Sequence, residues 1–557
     1  MTMIKNIYKY LFCGALGLSV EGCADLDSLN SDPNNPENVP SNMLMSGAEK
    51  WAVDNVYDLW FSGRQCLLYA QYWAQRNYTE EDRYQIREST NNNYFNYLYM
   101  GIANFQKVID LNADEATAST NSAYGANVNQ IAAAKIMKVW LMNIITDTWG
   151  NVPYSEISQL EDGVLYCKYD NQKDIYAGMI AELTEAVEMI DETESAFTSG
   201  DVIYGGDASK WKKFGNSLKC RLAIHLSKVD SNWKTYIQEA LASGVFESNE
   251  DVAAFKYVSS GSDYSQFYSG TYVDGRNDFT ITEQFVNILK GEADVINGKS
   301  HPWEGTLDPR LEMYTTSATY KIDGETVTGY NGFPYGTPSS ESTAARANTP
   351  NWYNNTPMFL EPDFAMPLMT YAEVKFIESE YKGFDVADYQ EGVRASVEYW
   401  SAQSGVSVAS SDLDAYIAAV SSNVDAEAVA VQKYIDFFLN GTEAWTEIRR
   451  TGYPEQLIRP GEKETYEVRD SEGYLLETRE VVFTPLSEVK GDIIARVKYP
   501  TNESTLNGKN WTEAVSKLED GTNNYYSKMY WDVRTSVYDH PVNKCLSFNL
   551  HFEGVSQ

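Results

Sequence analysis

Apolar positions recur at three- and four-residue steps over long stretches of this chain, the period of an α-helix with one buried face. Tyr94, Leu98, Ile102, Phe105 and Ile109 fall on one such face, and Ile131, Ala134, Met137, Leu141, Ile144 and Ile145 on another. Tyr176, Ile180, Leu183, Val187 and Ile190 form a third. Trp211, Phe214, Leu218, Leu222 and Leu226 form a fourth, with WKTYIQEALASG close behind. The period returns in PLMTYAEVKFIESEY, YQEGVRASVEYWSAQSG and AVAVQKYIDFFLNGTEAWTEIRR. Successive amphipathic helices joined by short loops are the unit of tetratricopeptide-type repeats. The spacing therefore predicts a mainly α fold, with helix pairs building a superhelical scaffold in residues 43–250 and again in 363–450.

Between these blocks the period dissolves. Residues 251–362 are rich in Gly, Ser, Asn and Tyr, in segments such as SGSDYSQFYSGTYVDGRNDF and GYNGFPYGTPSSESTAARANTPNWYNNTP. Disordered segments avoid aromatic residues and these are full of them, so ordered binding loops are expected here. Residues 451–557 are irregular too, apart from a strand pair expected in TYEVRDSEGYLLETREVVF, turning at Ser471-Glu472-Gly473.

The first residues follow another logic. Lys5 and Lys9 precede the short apolar run LFCGALGLSV, which is too short for a bilayer and has the layout of a secretory signal. It ends at Gly22-Cys23, which looks like a bacterial lipobox although Val20 and Glu21 depart from the preferred residues. Residues 1–22 are thus expected to be a lipoprotein signal, Cys23 the lipidated residue, and 24–42 a Pro/Asn/Ser tether. A single folded unit is expected from 23 to 557. Cys66, Cys167, Cys220 and Cys545 have no metal-ligand spacing, and their disulfide state is left open.

Chemistry is sparse. The chain has only 4 histidines, which makes histidine-based catalysis or a multi-histidine metal site a poor reading; His225, within a helix, reads as a satisfied side chain. No nucleophile elbow or H-E-x-x-H motif occurs, and ADVINGKS lacks the first glycine of a phosphate-binding loop. With 79 acidic residues, two carboxylates close together single nothing out. The net charge of -35 argues against nucleic acid as a partner and otherwise reads as a solvated surface. Aromatic abundance does change the picture: 40 Tyr, 13 Trp and 21 Phe include many in loops. A sugar ring lays its C–H face on a flat aromatic ring while polar side chains take its hydroxyls, and rigid Tyr and Trp suit that task. The candidate ligand contacts are Tyr268, Tyr272, Trp303, Tyr335, Trp352 and Tyr353 from the middle loops, with Tyr78, Arg83 and Tyr84 from an earlier one. No cofactor is expected, and whether a calcium ion braces the loops is left open.

In order along the chain, DTWGNVPYSEI, MTYAEVKFIESEYKGF, YQEGVRASVEYW, FFLNGTEAWTEIRRTGYP and RVKYPTNESTLNGKNWTEAV resemble the signature blocks of SusD/RagB lipoproteins. The resemblance implies a lipid-anchored protein on the outer face of the outer membrane. Such a protein acts as the lid of a TonB-dependent β-barrel transporter, delivering oligosaccharides or peptides rather than cleaving them. Oligopeptide capture and surface glycoside hydrolysis are the alternatives to a glycan-binding role. The family's binding residues vary with ligand, so none is carried over. Within the fourth block, Trp445, Arg449 and Arg450 lie on one short helix. They are expected to tie loops to the helical frame rather than to form an active site.

Overall fold

Helices form where the apolar period places them. The computed structural model describes residues 39–534, apart from 160–162, 262, 293–298, 300, 346–347 and 353. Its first helical block comprises α1 (Ser41–Val56), α2 (Glu88–Ala113), α3 (Asn127–Trp149), α4 (Gln172–Met189), α5 (Ala208–His225) and α6 (Trp233–Ser243). The second comprises α7 (Tyr371–Tyr381), α8 (Val386–Ser404), α9 (Ser410–Val420), α10 (Ala426–Asp436) and α11 (Gly441–Thr451). In the first block each helix packs on the next in sequence; α5 also packs on α7, which joins the two blocks. Helix starts are set by side-chain caps: Asp207, Thr370, Asp385, Asp425 and Asn440 each accept a backbone N–H of the first turn. Helix α3 is apolar on nearly every side, and its residues from Ala132 to Trp149 are mostly buried, which makes it the central rod. The predicted scaffold of tetratricopeptide-like helix pairs is present.

Short antiparallel ladders staple the irregular segments to this frame. In chain order the strands are β1 (Trp73–Gln75), β2 (Val152–Pro153), β3 (Tyr169–Asp170), β4 (Ala253–Lys256), β5 (Phe279–Ile281), β6 (Ala318–Ile322), β7 (Glu325–Gly329), β8 (Ala365–Met369), β9 (Lys463–Arg469) and β10 (Leu475–Val482). The pairs are β1–β5, β2–β3, β4–β8, β6–β7 and β9–β10. The predicted hairpin is β9–β10. The hairpin β6–β7 lies within 251–362, where the sequence leads one to expect ordered loops. Its turn is Asp323-Gly324, with φ of 50° and 88°, a pair of left-handed residues that matches the twist of the flanking strands. The two hairpins meet turn to turn: Gly324 N donates to the Glu472 carbonyl at 2.8 Å and Asp323 N to that of Gly473 at 3.2 Å.

Helix α11 is the corner post of the assembly. Arg449 donates to the carbonyls of Asp147 (2.9 Å) and Ala495 (2.8 Å), and its guanidinium lies 3.5 Å from the Trp445 ring centroid. Arg450 pairs with Glu447 at 2.6 Å and with Glu380 of α7 at 2.7 Å. Glu447 also meets Lys433 of α10 at 2.7 Å, and Glu443 meets His225 of α5 at 2.8 Å. Asp147 of α3 accepts from Tyr176 of α4 (2.7 Å) and from the Trp531 indole (2.9 Å). The network thus fastens five other helices and the C-terminal segment to α11. Among the described residues, His225, Glu443 and Glu447 bring donor atoms within 4.8 Å of one another, as a metal site would. Their carboxylates are already matched by His225, Arg221, Lys433 and Arg450, so this donor set reads as a charge network. His225 is the satisfied core side chain expected from the sequence.

The network has a definite pH signature. Burial disfavours the His225 imidazolium, but Glu443, Asp147 and Glu447 raise its pKa overall above the ordinary 6.5. A raised pKa stabilises the fold fully below pH 6.5, and that contribution fades as pH climbs through the folded value. Burial would raise Glu443 and Glu447, yet their cationic partners hold both below the ordinary 4.5, so their contribution is present above that pH and is lost in acid. The joint contribution of His225, Glu443 and Glu447 is therefore largest between about pH 4.5 and 6.5. Melting temperature is expected to fall from pH 6.5 upward, and His225→Gln to flatten that fall; an unchanged slope in the variant would remove His225 from this role.

Candidate ligand-binding groove

Where α1 ends, the chain turns sharply and puts a tryptophan outside. Asp58 Oδ1 accepts the N–H groups of Phe61 (2.7 Å) and Ser62 (3.1 Å), which closes the turn and leaves Trp60 at its apex, 39% exposed. Two adjoining hollows flank this indole and share Asn55, Asp58 and Trp60. One, of about 270 Å³, is lined by Trp51, Asp54, Gln266, Gly270 and Asp274 among others. The other, of about 350 Å³, runs along the start of α2 past Arg87, Ser89, Thr90, Asn93 and Tyr97. Together they make one groove with Trp60 at its waist.

The walls are fixed from behind. The Trp51 indole N–H donates to the Tyr97 carbonyl at 2.8 Å, and the two rings meet edge to face at 5.5 Å. Tyr97 itself is 37% exposed, an aromatic face open to the groove. Opposite, residues 266–273 form a tight helical turn whose Gly270 lies so close to α1's exit that an added Cβ would sit 2.3 Å from Leu59. Arg64 is buried under Trp60, its guanidinium 4.7 Å from the ring centroid, and bonds to Glu81 (3.0 Å) and Asp278 (3.2 Å). Glu81 in turn holds Arg87 at 2.7 Å, so one carboxylate anchors both the floor and a rim residue.

The groove is rich in acceptors. Asp54 is held by Lys50 at 2.5 Å and by the Tyr257 hydroxyl at 2.8 Å. Burial pushes the Asp58 carboxyl up to about 6, against the pull of the backbone N–H groups it accepts. Flat rings at Trp60 and Tyr97 with carboxylates, amides and hydroxyls around them can stack a sugar ring and hydrogen-bond its edge. Hydrolysis would need a free acid and base flanking a glycosidic bond. Here Asp54 is neutralised by a lysine and Asp58 is committed to its turn.

The residues expected from the sequence are dispersed by the fold. Tyr268 and Tyr272 do come together, half-buried, with ring centroids 5.2 Å apart, in a ladder that begins at Tyr264. They stand on the same turn that presents Gln266, Gly270 and Asp274 to the groove. Tyr78 is 58% exposed on the loop between β1 and α2, and Arg83 Nε closes that loop by donating to the Thr79 carbonyl at 2.8 Å. Neither is among the residues that line the two hollows. Four others are corrections, because their rings are buried and cannot stack a ligand. Trp303 packs edge-on to His301 at 5.2 Å. Trp352 packs between Trp73 (5.4 Å) and Phe359 (5.2 Å). Tyr84 and Tyr335 meet in the core through Phe483, at 5.4 Å and 5.1 Å. Tyr353 lies outside the described residues, as does Cys23.

Sequence reasoning passed over Trp51, Trp60 and Tyr97. Their signal was position: Trp51 and Tyr97 stand off the apolar stripes of α1 and α2, and Trp60 follows the break after Val56. An aromatic residue at a solvent position of an amphipathic helix has no packing reason to be there.

A family model described as "Starch-binding associating with outer membrane" matches residues 33–471. No curated protein matches the chain. Among solved structures, a chitin-binding protein is 24% identical, with 88% of this chain and 100% of that one aligned at a TM-score of 0.69. A chitin-binding SusD homologue from Flavobacterium johnsoniae is 22% identical over 89% of this chain and 100% of its own, with a TM-score of 0.63. A SusD homologue from Bacteroides uniformis is 22% identical over 88% and 99%, with a TM-score of 0.64.

Proposed function

The chain belongs to the SusD-like family of starch-binding proteins that associate with the outer membrane, and from that premise we propose that it is a cell-surface lipoprotein capturing oligosaccharides for a partner TonB-dependent transporter. The observation that carries the glycan reading is the exposed Trp60, held rigidly at the waist of a groove lined by acceptors. Capture needs only a shaped and rigid surface, whereas cleavage needs a free acid and base placed on either side of the bond. Two of the similar structures carry names that describe chitin binding, which supports a sugar ligand for this chain as well. The protein then acts without chemistry, as a lid that binds, closes and hands over. Among the described residues no helix is long and apolar enough to cross a membrane; the attachment proposed is a lipid on Cys23, at the end of the signal-like leader.

A calorimetric screen against neutral, amine-bearing and uronate oligosaccharides, with oligopeptides alongside, tests the ligand class. Binding to an oligosaccharide is expected; binding to peptides alone would replace the glycan by a peptide. For the anchor, Cys23→Ala is expected to release most of the protein from the membrane fraction into the soluble fraction. Retention of the variant in the membrane would contradict lipidation at that residue.

A further inference from the structure

The indole at the groove's waist carries two guanidiniums, and they are not equivalent. Arg64, 3% exposed, is locked by Glu81 and Asp278 at 3.0 and 3.2 Å. Arg276 lies over the same ring at 5.0 Å, but its side chain is 30% exposed and its nearest carboxylate, on Asp278, stands at 3.8 Å, beyond a good hydrogen bond. Asp278 spends its Oδ2 on Arg64 first.

We infer that Arg276, which lines the neighbouring crevice rather than either hollow but lies over the shared Trp60 ring, selects the sugar that stacks there: it covers Trp60 in the free protein and turns outward to hydrogen-bond neighbouring ring hydroxyls when a sugar takes its place. The inference rests on the glycan reading of the groove. The backbone on either side is held in place. Arg276 N donates to the Gly270 carbonyl at 3.1 Å, Asn77 holds the Asn277 carbonyl at 2.6 Å, and Gly270 is pressed against Leu59. The side chain is the part left to move. Resting on an exposed ring is a weak interaction for a guanidinium, whereas donating to a ligand's oxygens in a drying groove is stronger. The planar fork of an arginine also spans two adjacent hydroxyls, which a lysine's single point charge does not. Arg276 thus reads the spacing of hydroxyls while Trp60 reads only the flatness of the ring.

The test uses the full protein and the tightest oligosaccharide of the calorimetric panel. Arg276→Ala is expected to weaken binding about tenfold with an unchanged melting temperature, and Arg276→Lys not to restore it. In a Trp60→Ala background, Arg276→Ala is expected to cost little more, because the two act on one sugar. Wild-type or tighter affinity in Arg276→Ala overturns the inference, as does a loss that adds fully to that of Trp60→Ala and follows a lowered melting temperature. If Trp60→Ala also binds normally, the groove itself is wrong. If no oligosaccharide of the panel binds, the glycan reading and this inference both fall.

Discussion

Arg450→Ala is expected to cost about 3–5 kcal/mol of folding stability, the range for stripping one partner from a buried ion pair. Arg450 is fully enclosed between Glu447 and Glu380, each at 2.6–2.7 Å. Burial alone would raise the Glu447 carboxyl; Arg450 and Lys433 hold it well below the usual range instead. Removing the guanidinium leaves buried Glu447 charged, with Lys433 at 2.7 Å and His225 at 3.8 Å as its remaining partners. Urea midpoints measure the loss. Arg394→Ala, which removes an exposed partner of Asp414 at 2.7 Å, serves as the control and is expected to change stability by roughly 1 kcal/mol or less. Replacing Arg450 and Glu447 together by Met and Leu is not expected to recover the stability, because buried Lys433 then loses its partner Glu447 at 2.7 Å. Equal midpoints for Arg450→Ala and the wild type would mean that the corner post holds nothing.

Trp60→Ala acts on function instead. An exposed aromatic anchor at the centre of a contact contributes on the order of 2 kcal/mol, roughly 30-fold in affinity. The indole packs mostly on Arg64 and Arg276, so its removal opens no large core cavity. Melting temperature is therefore expected to stay within a degree or two while calorimetric affinity falls. Trp352→Ala makes the informative contrast: that ring is buried against Trp73 and Phe359, and its loss is expected to destabilise by about 3–5 kcal/mol. The two tryptophans would then separate a binding residue from a folding one.

That contrast also marks how far the sequence could be read. The helical scaffold was legible because period 3.6 reports burial directly: Tyr94, Leu98, Ile102, Phe105 and Ile109 all face inward on α2. The fate of WTEIRR was legible for the same reason, since Trp445 continues an apolar phase. The middle loops carry no period, and there an aromatic residue looks the same whether it faces solvent or neighbours. Trp73, Phe267, Phe279, Trp352 and Phe359 in fact build a packed cluster beneath those loops. Irregular chain must bury its rings too, and glycine- and serine-rich surroundings do not mark them as exposed. The hairpin β6–β7 was visible in principle, in Asp323-Gly324 with alternating residues on either side. Trp60 was visible in principle as well, being an aromatic residue beyond the end of a helical stripe.

Hydrogen–deuterium exchange with and without a saturating oligosaccharide locates the ligand directly. Slowed exchange is expected in the amides of the turn from Asp58 to Ser62, the start of α2 and the segment from Gln266 to Arg276. Protection centred instead on the loops around Trp303 and Tyr335, with none at Trp60, would place the binding site elsewhere.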